Sequence, residues 1–227
     1  MNPHGDSRPG HGHGPGHGHH SADIDWDVMA AHLENGGELQ LPVLHRTADR
    51  LGELLGPGAE VRRILDIDIG SGPGVMTCVL AEAFAGAETV AVDGAPVLLE
   101  RTSARAERLG LGGRVTVRHA ELPGVPVVED WPAMLRRAGL TGVGGFTYLL
   151  DLPAPLGGTA RTFLHAQLTR LRENASDLLT ADDLGTLDVL LDPEAEQGIL
   201  HRPDAFLLSA TTVLTGVRAA DDERRAR

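Results

Sequence analysis

Between Asp66 and Val75 the chain reads Asp-Ile-Asp-Ile-Gly-Ser-Gly-Pro-Gly-Val, and this run constrains the fold more than any other. Ile64, Leu65, Ile67 and Ile69 spell an apolar strand with an acid, Asp68, two residues before Gly70. Gly70, Gly72 and Gly74 follow, and a helix-like run begins at Val75. A parallel strand that stops in a glycine turn at a helix N-terminus forms a ligand cradle, because free backbone amides point outward there. The spacing of the glycines narrows the ligand. Dinucleotide sites use Gly-x-Gly-x-x-Gly, whose third glycine would fall at Val75, whereas here it is Gly74. That spacing disfavours a nicotinamide-dependent oxidoreductase.

Two further strand–acid junctions follow. Thr89 to Asp93 reads as a short strand ending in a carboxylate, 19 residues after Gly74. A carboxylate there can accept charge-assisted hydrogen bonds from both hydroxyls of a ribose. Gly94-Ala95-Pro96 then opens a helix, with proline near the first turn, where its missing donor costs nothing. Val115 to Val117 makes a third strand, followed by Arg118-His119-Ala120-Glu121. A second use of such residues stays open: glycines serve any tight strand-to-helix turn, and a strand-end acid caps the next helix.

From about Arg62 to Pro123 the pattern resembles the class I S-adenosylmethionine-dependent methyltransferases, whose motif I carries this glycine spacing. The resemblance implies an α/β fold: a Rossmann-like, doubly wound, mainly parallel sheet with helices on both faces and an N-terminal helical extension. It also implies S-adenosylmethionine as cofactor and a small-molecule methyl acceptor. Gly70, Gly72 and Gly74 would bend around the methionine part, with Asp68 near its amino group. Asp93 would hold the ribose and Glu121 the adenine edge, and Ser71, Gly94 and Ala120 complete the expected cofactor set. The catalytic residue is not legible. Among the histidines, His119 stands nearest the site, while His165 reads as sharing a solvated helix face with Arg161 and Arg172.

The resemblance breaks after Glu121. A complete domain of this family continues through a helix, a fourth strand whose loop carries motif IV, and a fifth strand. Each crossover needs at least about 10–12 residues. Between Glu121 and Trp131 the chain offers only Leu-Pro-Gly-Val-Pro-Val-Val-Glu-Asp. Val125 to Val128 would be a stunted strand, and Pro126 suits the centre of a sheet poorly. The expectation is a shortened sheet, with activity in doubt and a cofactor-binding or interaction protein of the same fold as the alternative. Trp131–Leu140 reads as a late helix, Phe146–Asp151 and Leu207–Val217 as strands. Between these strands lie two helices, about 159–179 and 181–191, the first with Leu164, Leu168, Leu171, Ala175 and Leu178 on one face.

The first strand also carries an extra Asp-Ile pair, which points Asp66 the same way as Asp68. An unpaired carboxylate that deep would be costly and would take up a proton. Upstream, Asp23–Glu34 reads as a short helix broken by Asn35-Gly36-Gly37, and Pro42–Leu55 as a second, with Leu44, Ala48, Leu51 and Leu55 on its buried stripe. The expected organisation is a His- and Gly-rich tail over 1–22, N-terminal helices over 23–60, a cofactor-binding half over 61–123, and a truncated half over 124–227 that completes the same domain.

Composition excludes some partners. The formal charge of −12, with arginine as the only strong base, argues against nucleic acid and against an anionic membrane surface. No run approaches the length of a membrane span. The single Cys78 precludes an intramolecular disulfide and fits a cytoplasmic protein; it falls among apolar residues and reads as a core thiol. The six histidines before Ser21 lie among glycine and proline, which gives no fixed metal geometry, so no metal site is expected.

Overall fold

A computed structural model describes residues 25–67, 71–120 and 130–218. A three-stranded parallel sheet is ordered β1-β2-β3, from β1 (Arg63–Asp66), β2 (Glu88–Asp93) and β3 (Val115–His119). The crossovers are α2 (Val75–Ala83) and α3 (Pro96–Arg108). This is the shortened, Rossmann-like α/β arrangement the motif implies. Strand β1 pairs Ile64 with Thr89 and Asp66 with Ala91, and β2 pairs Asp93 with His119. Arg118 and His119 therefore extend the third strand instead of starting its loop. Thr89, Ala91 and Asp93 are buried, with α2 and α3 packed on this sheet. Leu65, on the opposite face of β1, is 55% exposed.

The second half is a separate antiparallel ribbon of β4 (Thr141–Leu152) and β5 (Leu207–Val217), with α4 (Trp131–Arg137) before it. Between the two strands come α5 (Gly158–Asn174), a 3-10 turn over Ser176–Leu178, and α6 (Ala181–Leu191). Thr180 and Asp183 form a reciprocal capping box that starts α6. The expected stripe along α5 is only half realised. Leu164 and Leu168 pack on the Leu156–Ala160–Ile199–Ala205 cluster, whereas the helix ends at Asn174, which leaves Leu178 87% exposed. The Val125–Val128 segment lies outside the described residues.

The N-terminal region corrects the sequence reading. Instead of two helices broken at Asn35–Gly37, a single helix, α1 (Trp26–Leu55), runs straight through the glycines and Pro42. Asp25 caps it by accepting from the amides of Asp27 and Val28. Packing accounts for the continuity. A Cβ on Gly36 would lie 2.8 Å from Phe163 Cε2, and one on Gly37 would lie 2.6 Å from Val75 Cγ2. Tertiary contact on both sides outweighs the roughly 1 kcal/mol helix penalty of each glycine. The stripe at Leu44, Ala48 and Leu51 does pack, against Val79, Leu80 and Phe84.

Candidate functional site

The described part of the glycine turn, Ser71 to Gly74, joins β1 to α2. Two of its amides are engaged. Ser71 N donates to Val92 O at 2.9 Å, and Gly72 N donates to Asp93 Oδ2 at 2.9 Å. Asp93 Oδ1 accepts from Ala95 N at 2.8 Å. One strand-end carboxylate thus clamps the glycine turn and starts α3, whose first residue is Pro96. Asp93 is only 5% exposed. Each of its oxygens keeps a further lone pair. The bond from Ala95 matches the helix-starting use of a strand-end acid, whereas the hold on Gly72 is a contact the sequence did not indicate.

From α3, Thr102 seals the turn from behind. Its hydroxyl is shared between Gly72 O and Leu98 O, each 3.0 Å away. Gly74 takes φ +77° and Gly72 takes φ +60°. The two differ in surroundings: a Cβ on Gly74 would strike Thr102, while one on Gly72 would meet nothing within 4 Å among the described residues. Ser71 Oγ is buried and has no hydrogen-bond partner among the described residues. An open cradle over Gly72 and an orphaned hydroxyl beside it fit a bound polar group at this turn.

Of the other expected residues, Ala120 lies beside the junction and donates its amide to Asp93 O at 3.0 Å. The carbonyl of Gly94 accepts from the His119 ring, whose Nε2 lies 3.0 Å away. His119 is therefore tied down at the edge of the site. Asp68, Gly70 and Glu121 lie outside the described residues.

Asp66 corrects another expectation. Its carboxylate is not left unpaired: the fully buried Thr77, from the first turn of α2, donates to Asp66 Oδ2 at 2.5 Å. Cys78 is buried beside Ala81, Ala106 and Leu111, and burial pushes its thiol upward from the usual range. It is a core thiol, as its neighbours in sequence suggested.

Helices α1 and α3 are bridged by two ion pairs one turn apart. Glu34 meets Arg101 at 3.0 Å and Glu38 meets Arg105 at 2.5 Å. Helix α5 meets α1 through His32, which stacks on Phe163 with centroids 4.7 Å apart and planes 11° off parallel. Arg170 donates to His32 Nε2 and also reaches Met29 Sδ at 3.1 Å. Nothing in the local pattern of α1 foretold that contact, since His32 and Arg170 stand far apart in sequence.

The face of α5 that reads as solvated is in use. Arg161 donates to the carbonyls of Leu156 at 2.8 Å, Leu200 at 3.1 Å and Arg202 at 2.7 Å. His165 Nε2 donates to Leu191 O at 3.0 Å, and Arg172 pairs with Asp188 at 2.5 Å. These contacts fasten α5 to α6 and to the loop before β5. Among the described residues no cluster of His, Cys, Asp and Glu could hold a metal, and no helix is long and apolar enough to cross a membrane.

The fold and turn together define an α/β protein with a glycine-cradle site at the end of β1. No family model matches the chain, and no curated protein matches it. Among solved structures it is similar to coclaurine N-methyltransferase bound to N-methylheliamine and SAH, at 13% identity and TM-score 0.41, over 78% of this chain and 72% of that one. It is also similar to a SAM-dependent methyltransferase from Thiobacillus denitrificans in complex with S-adenosyl-L-homocysteine, at 16% identity and TM-score 0.37, over 76% and 91%. YjhP from E. coli matches at 18% identity and TM-score 0.35, over 76% and 92%.

Proposed function

We propose that this chain is a methyltransferase that uses S-adenosylmethionine and acts on a small-molecule acceptor. The observation that carries the reading is the glycine turn, clamped by Asp93 and Thr102, with Gly72 open and the buried Ser71 Oγ without a partner among the described residues. In this reading Ser71, Gly72 and Gly74 line the methionine end of the cofactor, together with Asp68 and Gly70. The spare lone pairs of Asp93 meet the ribose, and Gly94, Ala120 and Glu121 border the adenine. When bound, the cofactor supplies an already activated methyl group. The chain's task is then alignment, and positioning of reactants contributes about 7–11 kcal/mol in favourable cases. The acidic charge supports a neutral or cationic metabolite over nucleic acid as acceptor. A cytoplasmic location belongs to the same proposal.

The test is a calorimetric titration of the full chain with S-adenosylmethionine and S-adenosylhomocysteine, beside the variant Gly72→Asn. Asparagine tolerates the left-handed backbone but places a side chain in the open cradle. Saturable binding by the native chain that the variant abolishes supports the reading. Folded native protein that binds neither ligand refutes it, and leaves a protein that keeps the fold without the cofactor. The burial of Asp93 and the use of both its oxygens by backbone amides favour that second reading.

A further inference from the structure

Helix α1 is gripped from two sides at adjacent residues. Gly36 lies against Phe163 of α5, and Gly37 against Val75, the residue that follows the glycine turn. At Gly36 and Gly37 there is no side chain of α1 to absorb displacement, so a shift of α5 reaches the start of α2 through backbone contact. One turn earlier, the His32–Phe163 stack and the hydrogen bond from Arg170 hold α5 down.

We propose that His32 is an acid-sensitive latch that seats α5 on α1, and that through Gly36 and Gly37 this seating sets the stiffness of the glycine turn. Only the neutral ring can accept from Arg170. A proton on Nε2 removes that acceptor and brings two cations together. Among the described residues the charged group facing His32 is Arg170. The other α5 residues at the contact, Phe163 and Gln167, are uncharged, as is Met29 on α1. Glu34 and Glu38 of α1 are engaged with Arg101 and Arg105 of α3. Helix α2 and strand β4 meet α1 farther along, from Gly37 onward.

The titration supports the geometry. Burial, and then the Arg170 charge, push His32 from 6.5 down to about 4 in the seated structure. The sign follows: the seated state is fully favoured above about 6.5 and loses ground as pH falls toward 4.

Amide hydrogen exchange of the full chain, corrected for intrinsic rates, tests this between about pH 7.5 and about pH 5.5. The comparison is with His32→Gln, which keeps an acceptor for Arg170 but does not titrate. Native α5 amides lose up to about tenfold in protection on acidification, that ceiling following from a site at 6.5 when free and about 4 when seated. The amides of Ser71 to Leu80 lose protection with them, and His32→Gln shows neither loss. Because other histidines also titrate, the difference between the two proteins is the readout. An equal acid response in both proteins overturns the latch. Loosening of α5 with an unchanged glycine turn overturns the coupling. If His32→Gln does not fold, Arg170→Gln replaces it: a smaller acid response supports the latch and an unchanged one overturns it. None of these readouts requires a bound cofactor.

Discussion

Alanine at Gly74 and at Gly72 should separate two demands that the glycine turn makes of its residues. Both positions have left-handed backbone, at φ +77° and +60°. An alanine there costs roughly 1–2 kcal/mol from backbone strain alone. At Gly72 nothing among the described residues lies within 4 Å of the new Cβ, so the strain is the cost expected there. At Gly74 the Cβ would come 2.5 Å from Thr102 Cγ2 and 2.7 Å from its Oγ1. Thr102 is fully buried and its hydroxyl is held by Gly72 O and Leu98 O, so it cannot swing aside. Overpacking of this kind adds about 1–3 kcal/mol. The expected losses are therefore about 2–5 kcal/mol for Gly74→Ala and about 1–2 kcal/mol for Gly72→Ala. Urea unfolding, followed by far-ultraviolet circular dichroism and the fluorescence of Trp26 and Trp131, measures both. The midpoints should shift with unchanged slopes. In Gly74→Ala/Thr102→Ala the clash is relieved, so the two penalties should fail to add. Equal midpoints for the two alanine variants, or strictly additive losses in the double variant, would refute the argument that Thr102 backs the turn.

Other outcomes follow from single contacts. Thr77→Val keeps the buried shape but removes the donor to Asp66 Oδ2; it should lower stability by about 1.5–3 kcal/mol in the same urea experiment, as hydrogen bonds to charged groups do. Arg161→Met strips the donors from the Leu156, Leu200 and Arg202 carbonyls. Limited proteolysis should then cut near Ile199–Arg202 much faster while the α2–α3 half stays protected. Cys78, buried and with its thiol pushed upward, should resist iodoacetamide at about pH 8 until denaturant is added. As the only cysteine in the chain, it makes labelling a direct count of unfolded molecules.

The local sequence settled the elements whose signals are short-range. The apolar strand, the glycines and the following helix placed the β1–α2 turn, and Thr89–Asp93 placed β2. Pro96 marked the first residue of α3, and α6 begins and ends at Ala181 and Leu191, the bounds read from the sequence. In the helices α3 and α6 the defining hydrogen bonds close between near neighbours; in β1 and β2 the apolar run and the acid at its end are local, although the strands bond to segments far along the chain. Asp93 was legible as a strand-end acid that could start the next helix, but its bond to Gly72 was not, because Gly72 comes to it from the end of the neighbouring strand.

Tertiary structure decided where local preference and distant packing disagree. Asn35–Gly37 reads as a helix break, yet the missing side chains there are what allow α1 to touch Phe163 and Val75 at once. Asp66 reads as a costly buried acid until α2 brings Thr77 to it. Arg161 and His165 read as solvated until the chain returns to present the carbonyls of Leu200 and Leu191. His32 gains its stacked ring and its hydrogen bond from α5, more than a hundred residues away. Periodicity and capping report what a residue does to its own helix or strand. Which groups desolvate it, clash with it or complete its hydrogen bonds is fixed only when distant segments pack together.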